Sequence, residues 1–270
     1  RWTNCSIGVT PFGNRFGSQR QSPHSGKVPT IFFGGGTPTL MDPSDLGRII
    51  DRIEQLFGLT DDCEITIEAN PDTVTREKLA ALRKTGINRI SFGMQSAVPH
   101  VLQVLDRTHD PENVVKATTW AREVGFDEVS IDLIYGAPGE SIEDWRTTIT
   151  AALELPITHI SAYALIVEIG TKLANQVKRG EILIPDDDQT ADKYLIADEA
   201  FSKAGMNWYE LSNWAKDGSA CRHNMAYWVG ANWWGLGPGA HSHIDGKRWW
   251  NVKHPTTYRA KMLSDEQPID

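Results

Sequence analysis

From Val28 onward, short apolar runs alternate with segments whose apolar residues recur at helical spacing. The run Val28–Gly36, VPTIFFGGG, has the continuous apolar character of a parallel strand that is covered on both faces. After it, Asp42-Pro-Ser-Asp caps a helix whose apolar positions are Leu46, Ile49, Ile50, Ile53 and Leu56. Strands that alternate with helices in this way predict a parallel sheet with right-handed crossover connections.

Further strand-like runs decide the fold class. They are Glu64–Pro71, Arg89–Gln95, Glu128–Pro138 and His159–Ile166. Five strands in this array favour an α/β fold with an open, partial barrel over a closed eight-fold barrel. A helix at Asp188–Gly205 then leads into a Trp-rich region, Asn207–Asn251. We therefore predict a leader at residues 1–27, a partial barrel at 28–187 and an α+β C-terminal extension at 188–270 that packs on the barrel.

Composition excludes several classes of protein. A formal net charge of −8 and the lack of any basic block argue against a nucleic-acid partner. No apolar run approaches the roughly 18–20 residues that cross a bilayer. The three cysteines, Cys5, Cys63 and Cys221, are too scattered for a disulfide framework, which favours a cytoplasmic location. Residues 1–27 lack acidic groups and show neither helical nor strand period, so we interpret them as a disordered or anomalous leader.

Polar residues mark the ends of the predicted strands, where ligands bind in barrel-like α/β folds. They include the glycine run at Gly34–Gly36, two acids within apolar strands, Glu68 and Asp132, and Gln95. Either acid alone could be a buried carboxylate that accepts hydrogen bonds from loop amides, and the glycines alone could form a tight turn. Together they favour a polar ligand with amino and hydroxyl groups. The glycine spacing matches neither a P-loop nor a dinucleotide fingerprint.

A series of motifs carries a family resemblance. In order, they are GGGTPT, EANP, RISFGMQS, LDRTHDP, SIDLIYGAPGES and HNMAYW. Over Val28–Tyr258 the chain resembles the radical S-adenosylmethionine (radical SAM) enzymes of the oxygen-independent coproporphyrinogen III oxidase group, and within it the haem-chaperone branch, HemW. The resemblance implies a partial (βα)6 TIM-like barrel that holds S-adenosylmethionine over a [4Fe-4S] cluster.

The resemblance also implies where S-adenosylmethionine binds. Gly35, Gly36 and Thr37 would meet its methionine part with backbone groups, and Glu68 would accept from its amino group or ribose.

Other positions match residues that line the cofactor region of the related oxidase, some of them around a second S-adenosylmethionine molecule. They are Gln95, Arg107, Asp132 and Ala164. Arg107 could equally be a surface ion-pair residue.

The cluster-binding loop of the family is missing. Family members hold the cluster with CxxxCxxC upstream of the glycine motif, because thiolates retain iron–sulfur clusters. Here no two cysteines have such a spacing, and the first barrel strand is also absent. Either the N-terminus is truncated or misread, which we favour, or the chain is a true cluster-less relative. In both cases the polypeptide as written is expected neither to assemble a three-cysteine cluster nor to cleave S-adenosylmethionine reductively.

The end of the chain is rich in tryptophan. Seven of the ten Trp fall at Trp208 or later. Their rings could be part of the core, or they could form a flat wall for a planar ligand such as a porphyrin. Arg222–Trp228, RHNMAYW, matches the HNxxYW signature that resembles the HemW branch, in which it is associated with haem binding. His223 is therefore a candidate haem-iron ligand, or alternatively a structural tie at the start of a helix. His241 and His243 have only weak metal-like spacing.

Three functions remain open from the sequence. The first is a HemW-like haem chaperone that binds haem and S-adenosylmethionine and passes haem to an acceptor protein. The second is an oxygen-independent coproporphyrinogen III oxidase, which decarboxylates propionates through a radical that its cofactor supplies. The third is a non-catalytic binding remnant of the barrel, which the missing cluster loop favours for this chain.

Overall fold

A computed structural model describes most of the chain as two compact units. The described residues are 6–10, for their backbone only, and 26–107, 110–183, 186–264 and 266–270. Unit 1 comprises Arg1–Ser91, Val124–Asp127 and Cys221–Asp270, and unit 2 comprises Phe92–Glu123 and Glu128–Ala220. Within the described ranges, no helix is both long enough and apolar enough to cross a membrane.

Strands and helices alternate through most of the chain. The strands are β1 (Ser6–Thr10), β2 (Val28–Gly34), β3 (Leu59–Ala69), β4 (Arg89–Gln95), β5 (Glu128–Tyr135), β6 (His159–Ala164), β7 (Asn207–Glu210), β8 (Asn213–Ala215), β9 (Trp234–Leu236), β10 (His241–Ile244) and β11 (Lys247–Trp250). The helices are α1 (Pro43–Phe57), α2 (Arg76–Lys84), α3 (Pro99–Val104), α4 (Pro111–Glu123), α5 (Ile142–Leu153), α6 (Lys172–Lys178), α7 (Asp187–Lys203), α8 (Arg222–Trp228) and α9 (Pro255–Leu263). The α/β fold class is confirmed.

Unit 1 is built on the parallel pair β2 and β3. Their register places Ile31 opposite Ile65 and Phe33 opposite Ile67, and all four side chains are buried. Strand β1 pairs antiparallel with both β2 and β9, and β10 and β11 form a separate antiparallel hairpin. The apolar run of β2 therefore supplies core, as its sequence predicts.

Helix α1 begins where the sequence predicts. The Asp42 side chain accepts the Ser44 backbone N–H at 2.8 Å, and Gly58 ends the helix with a φ of 73°. Of its five apolar positions, Leu46, Ile50 and Ile53 are buried, Ile49 is half-buried and Leu56 is exposed.

Unit 2 contains the parallel pair β5 and β6, extended antiparallel by β8 and then β7. Trp145 of α5 and Trp214 of β8 are completely buried. Their indole N–H groups donate to the Lys193 carbonyl and to the Asp198 carboxylate, each at 2.8 Å. These two Trp side chains are core, as large rings with a satisfied polar atom should be.

The N-terminal leader is the main difference from expectation. Residues 1–5 and 11–25 lie outside the described residues, but Ser6–Thr10 form strand β1, which the lack of strand periodicity did not predict. Because β1 runs antiparallel to β2, it is not the parallel first strand of a barrel. Cys221–Asp270 belong to unit 1, in which β9 pairs with β1. The domain bounds 28–187 and 188–270 stay a prediction.

Candidate functional site

The glycine run forms a turn whose backbone conformation requires glycine. Gly35 and Gly36 have φ values of 80° and 65°. At Gly34, an added Cβ would lie 2.7 Å from Phe32 Cε1 and 3.2 Å from Glu68 Oε1. The Gly35 N–H donates to Glu68 Oε2 at 2.8 Å. The turn therefore places bare backbone beside a half-buried carboxylate.

Tyr227 of helix α8 lies within electrostatic range of Glu68, the carboxylate beside this turn. Burial, with smaller contributions from Cys221 and Glu68, raises the pKa of Tyr227 to about 12, and Arg248 opposes the rise. These electrostatic neighbours place Glu68, Tyr227 and Arg248 in one region of unit 1.

His223 lies inside unit 1, with 1% of its surface exposed. Its Nδ1 is 2.8 Å from Thr30 Oγ1, and its Nε2 is 2.9 Å from Tyr227 Oη. Its ring stacks on Phe32, with centroids 5.2 Å apart and planes 27° apart. Both ring nitrogens are therefore engaged, as expected for a structural tie. His223 as an iron ligand stays a prediction, and it requires one of these bonds to break.

We expect His223 to make the protein acid-sensitive. Burial lowers the pKa of His223 from 6.5 to about 4, so the unfolded chain binds the additional proton between these values. Stability therefore falls as the pH decreases through this window. Relative to His223→Gln, the wild type should lose about 3 kcal/mol more between about pH 7 and about pH 4. Urea unfolding at both pH values measures the difference, and parallel pH profiles of the two proteins would contradict it.

Glu64 is a buried anchor that the sequence analysis did not single out. It is 7% exposed and accepts the backbone N–H groups of His223 at 2.9 Å and Arg222 at 3.1 Å. The Cys221 thiol lies 3.4 Å from Glu64 Oε1, and Arg89 Nη1 lies 3.7 Å from Glu64 Oε2. The sequence signal for Glu64 is the same as for Glu68, an acid within the apolar run Glu64–Pro71.

Aromatic rings continue from His223 to the β10–β11 hairpin. The Tyr227 ring lies edge-on to Trp233 with centroids 4.7 Å apart, and Trp233 lies 4.7 Å from His243 at 34°. The His243 Nδ1 is 2.9 Å from the Ala231 carbonyl oxygen. Because these rings are tilted or perpendicular to one another, they do not form the single flat wall that the sequence suggested.

Four of the predicted residues lie in unit 2. Gln95 ends β4 with a φ of 62°, a conformation that costs energy for a non-glycine residue. Asp132 is half-buried opposite Ser161, and its charge contributes to a raised pKa at Tyr163, of which burial is the larger cause.

Ala164 and Arg107 are the other two predicted residues in unit 2. Ala164 lies at the end of β6, opposite Tyr135. Arg107 is exposed, and its backbone N–H donates to the Leu102 carbonyl at 2.9 Å. The structure thus groups Asp132 with the end of β6, and it places Arg107 at the surface.

The described cysteines do not fit an iron–sulfur cluster. Cys63 and Cys221 are buried, and burial raises the pKa of each thiol to about 12, so neither presents a thiolate near neutral pH. Across the described parts of the chain, no three His, Cys, Asp or Glu residues form a metal-binding group. Cys5 lies outside the described residues.

Comparison with known proteins places this chain in a family. Residues 19–152 match the Radical SAM superfamily. The chain is 47% identical over 242 residues to "Heme chaperone HemW" of Mycobacterium tuberculosis, which covers 90% of this chain and 62% of that protein. It is 38% identical over 224 residues to "Heme chaperone HemW" of Bacillus subtilis, which covers 83% of this chain and 59% of that protein.

A solved structure agrees with these relatives. Coproporphyrinogen III oxidase (HemN) of Escherichia coli, a radical SAM enzyme, superposes with a TM-score of 0.74 at 25% identity. The match covers 90% of this chain and 58% of the enzyme, so this chain spans about three fifths of the proteins that it resembles. The chain belongs to the radical SAM superfamily, in the HemN-like group that includes HemW.

Proposed function

We propose that this chain is part of a haem chaperone of the HemW type, which binds haem and S-adenosylmethionine and passes haem to an acceptor protein. The observation that carries the proposal is the 47% identity to a protein named as a heme chaperone. The HNxxYW signature, within Arg222–Trp228, supports it, because His223 of helix α8 contacts Thr30 and Phe32 of β2, the strand that leads into the glycine turn.

S-adenosylmethionine is proposed to bind at the glycine turn. Its amine, carboxylate and ribose hydroxyls need both acceptors and donors, and the turn offers backbone groups at Gly35, Gly36 and Thr37 beside the Glu68 carboxylate. The residues present therefore fit this ligand. In unit 2, Gln95, Arg107, Asp132 and Ala164 are proposed on the family resemblance alone.

Haem is proposed to bind along the aromatic part of unit 1. Tyr227 and Trp228 at the end of α8 are 43% and 56% exposed, which is more than a ring in a closed core retains. Exposed rings can cover one face of a porphyrin at little cost, because they are already ordered by their neighbours. A porphyrin would thereby remove apolar surface from water.

A haem titration tests the proposal. Adding haem to the chain should give a saturable change of the Soret band with about one haem bound per chain, because iron coordination and ring contact both alter the band. The iron-free porphyrin is the control, since it retains ring contacts but cannot be ligated by imidazole. A Soret band identical to that of haem in buffer at every protein concentration would overturn the proposed function.

The second candidate is coproporphyrinogen III oxidase activity, which the structural match to the Escherichia coli enzyme favours. The HNxxYW signature and the chemistry of the described cysteines weigh against it for this chain. Under anaerobic, reducing conditions with S-adenosylmethionine and coproporphyrinogen III, we therefore expect no decarboxylated product. Formation of vinyl groups would favour the oxidase instead.

A further inference from the structure

The β10–β11 hairpin carries a set of chemically active side chains on one face. Antiparallel pairing places His243 opposite Arg248 and His241 opposite Trp250. Residues two apart along a strand point to the same side, so these four share one face, here called the hairpin face. The intervening Ser242 points to the other side and is 1% exposed.

His243 is held in the tautomer that a metal requires. Its Nδ1 lies 2.9 Å from the Ala231 carbonyl oxygen, which can only accept, so Nδ1 carries the proton and Nε2 of the neutral ring keeps its lone pair. Histidines that bind metals usually donate their other ring nitrogen to such a carbonyl. Two backbone bonds between His243 and Trp233, at 2.8 and 2.9 Å, fix the strand that bears it.

Aromatic rings and a cation lie near the His243 imidazole. Trp233 lies 4.7 Å from the His243 ring, and Trp250 lies 5.7 Å from the His241 ring. Arg248 pairs directly opposite His243, so its cation lies on the hairpin face. The face therefore joins an imidazole lone pair, apolar rings and positive charge.

We propose that the hairpin face is the haem-docking site, with His243 Nε2 as the iron ligand and Arg248 as the partner of a propionate. The inference rests on the proposed haem-binding function and assigns the ligand within it. An iron porphyrin fits better than a bare metal ion, because no three potential ligands are grouped in the described residues. His243 also needs no rearrangement of its ring contacts, whereas His223 must first give up Thr30 or Tyr227.

Single substitutions followed by haem titration test the assignment. We expect His243→Ala to weaken haem binding by more than roughly tenfold and to change the Soret position, because the iron loses its axial ligand. His243→Gln should show the same loss while it keeps an N–H donor for the Ala231 carbonyl. His223→Ala should retain the Soret position of the wild type. His254→Ala, at an exposed position, is the matched control.

The outcomes separate the two proposals. If the wild type does not bind haem, the proposed function fails. If the wild type binds, and both His243 variants keep its affinity and Soret band, the ligand assignment alone fails. Addition of imidazole to His243→Ala should restore the band. Arg248→Gln should weaken binding of haem but not of its dimethyl ester, which lacks free carboxylates; equal weakening of both would exclude the propionate contact.

Discussion

Lys193→Met is expected to lower the free energy of unfolding by about 3–5 kcal/mol. The Lys193 ammonium donates to Glu140 Oε2 and to the Glu140 carbonyl oxygen, each at 2.7 Å, and the two side chains are 1% and 0% exposed. Without the ammonium, a carboxylate stays buried with no counter-charge, which is the costly way to break such a pair. Urea unfolding followed by circular dichroism measures the loss.

The pH dependence of the stability of Lys193→Met is a second test of the buried pair. Burial raises the pKa of Glu140, and the Lys193 hydrogen bond and charge oppose that rise. In Lys193→Met the folded-state pKa should increase further, so the folded chain binds more protons than the unfolded chain above about pH 4.5. The variant should therefore lose stability, relative to the wild type, as the pH increases through this range.

Matched variants isolate the buried pair. Lys203→Met, on the same helix α7, removes an exposed pair with Glu199 and should leave the unfolding midpoint unchanged within error. In the wild type, the Gly136 N–H donates to Glu140 Oε2 at 2.7 Å. Lys193→Met combined with Glu140→Gln should be more stable than Lys193→Met alone, because Gln keeps an acceptor for this N–H without the charge. A loss below about 1 kcal/mol for Lys193→Met would mean that the pair is not buried in solution.

Much of the fold could be predicted from the local pattern of apolar residues. The apolar run of β2 and the Asp42 cap of α1 depend only on residues that are close in sequence, so their positions could be predicted. Strand β1 could not, because its partners β2 and β9 lie far along the chain, and β9 has only three residues. Long-range pairing of short strands leaves little trace in local sequence.

The site was partly predictable for the same reason. Positive φ at Gly35 and Gly36 and the bond to Glu68 follow from a glycine run that meets an acid from the next strand. The motif HNMAYW directed attention to His223, but only tertiary contacts reveal that both of its nitrogens are engaged. The tautomer of His243 likewise depends on the Ala231 carbonyl, twelve residues earlier.

Glu64→Ala is the second substitution with a large expected effect, a loss of about 3 kcal/mol or more. The carboxylate satisfies the first backbone N–H groups of α8, at Arg222 and His223, and neutralises the buried Arg89. Alanine leaves those donors and that cation without this acceptor in a buried place. Unfolding by urea measures the loss.

Comparison with Asp62→Asn decides whether burial is the cause. Asp62 lies two residues earlier on β3 and pairs with the Arg222 guanidinium at 2.7 Å, but it is exposed, so its loss should not shift the unfolding midpoint measurably. The stability of Glu64→Gln should fall between those of the two variants, because the amide oxygen can still accept from α8 but cannot neutralise Arg89.

Because Glu64 fixes the backbone of His223, Glu64→Ala should also raise the His223 pKa toward its ordinary value as water reaches the ring. An unchanged His223 titration, followed by NMR, in a destabilised Glu64→Ala variant would show that Thr30 and Tyr227 hold the ring without α8 being anchored to β3.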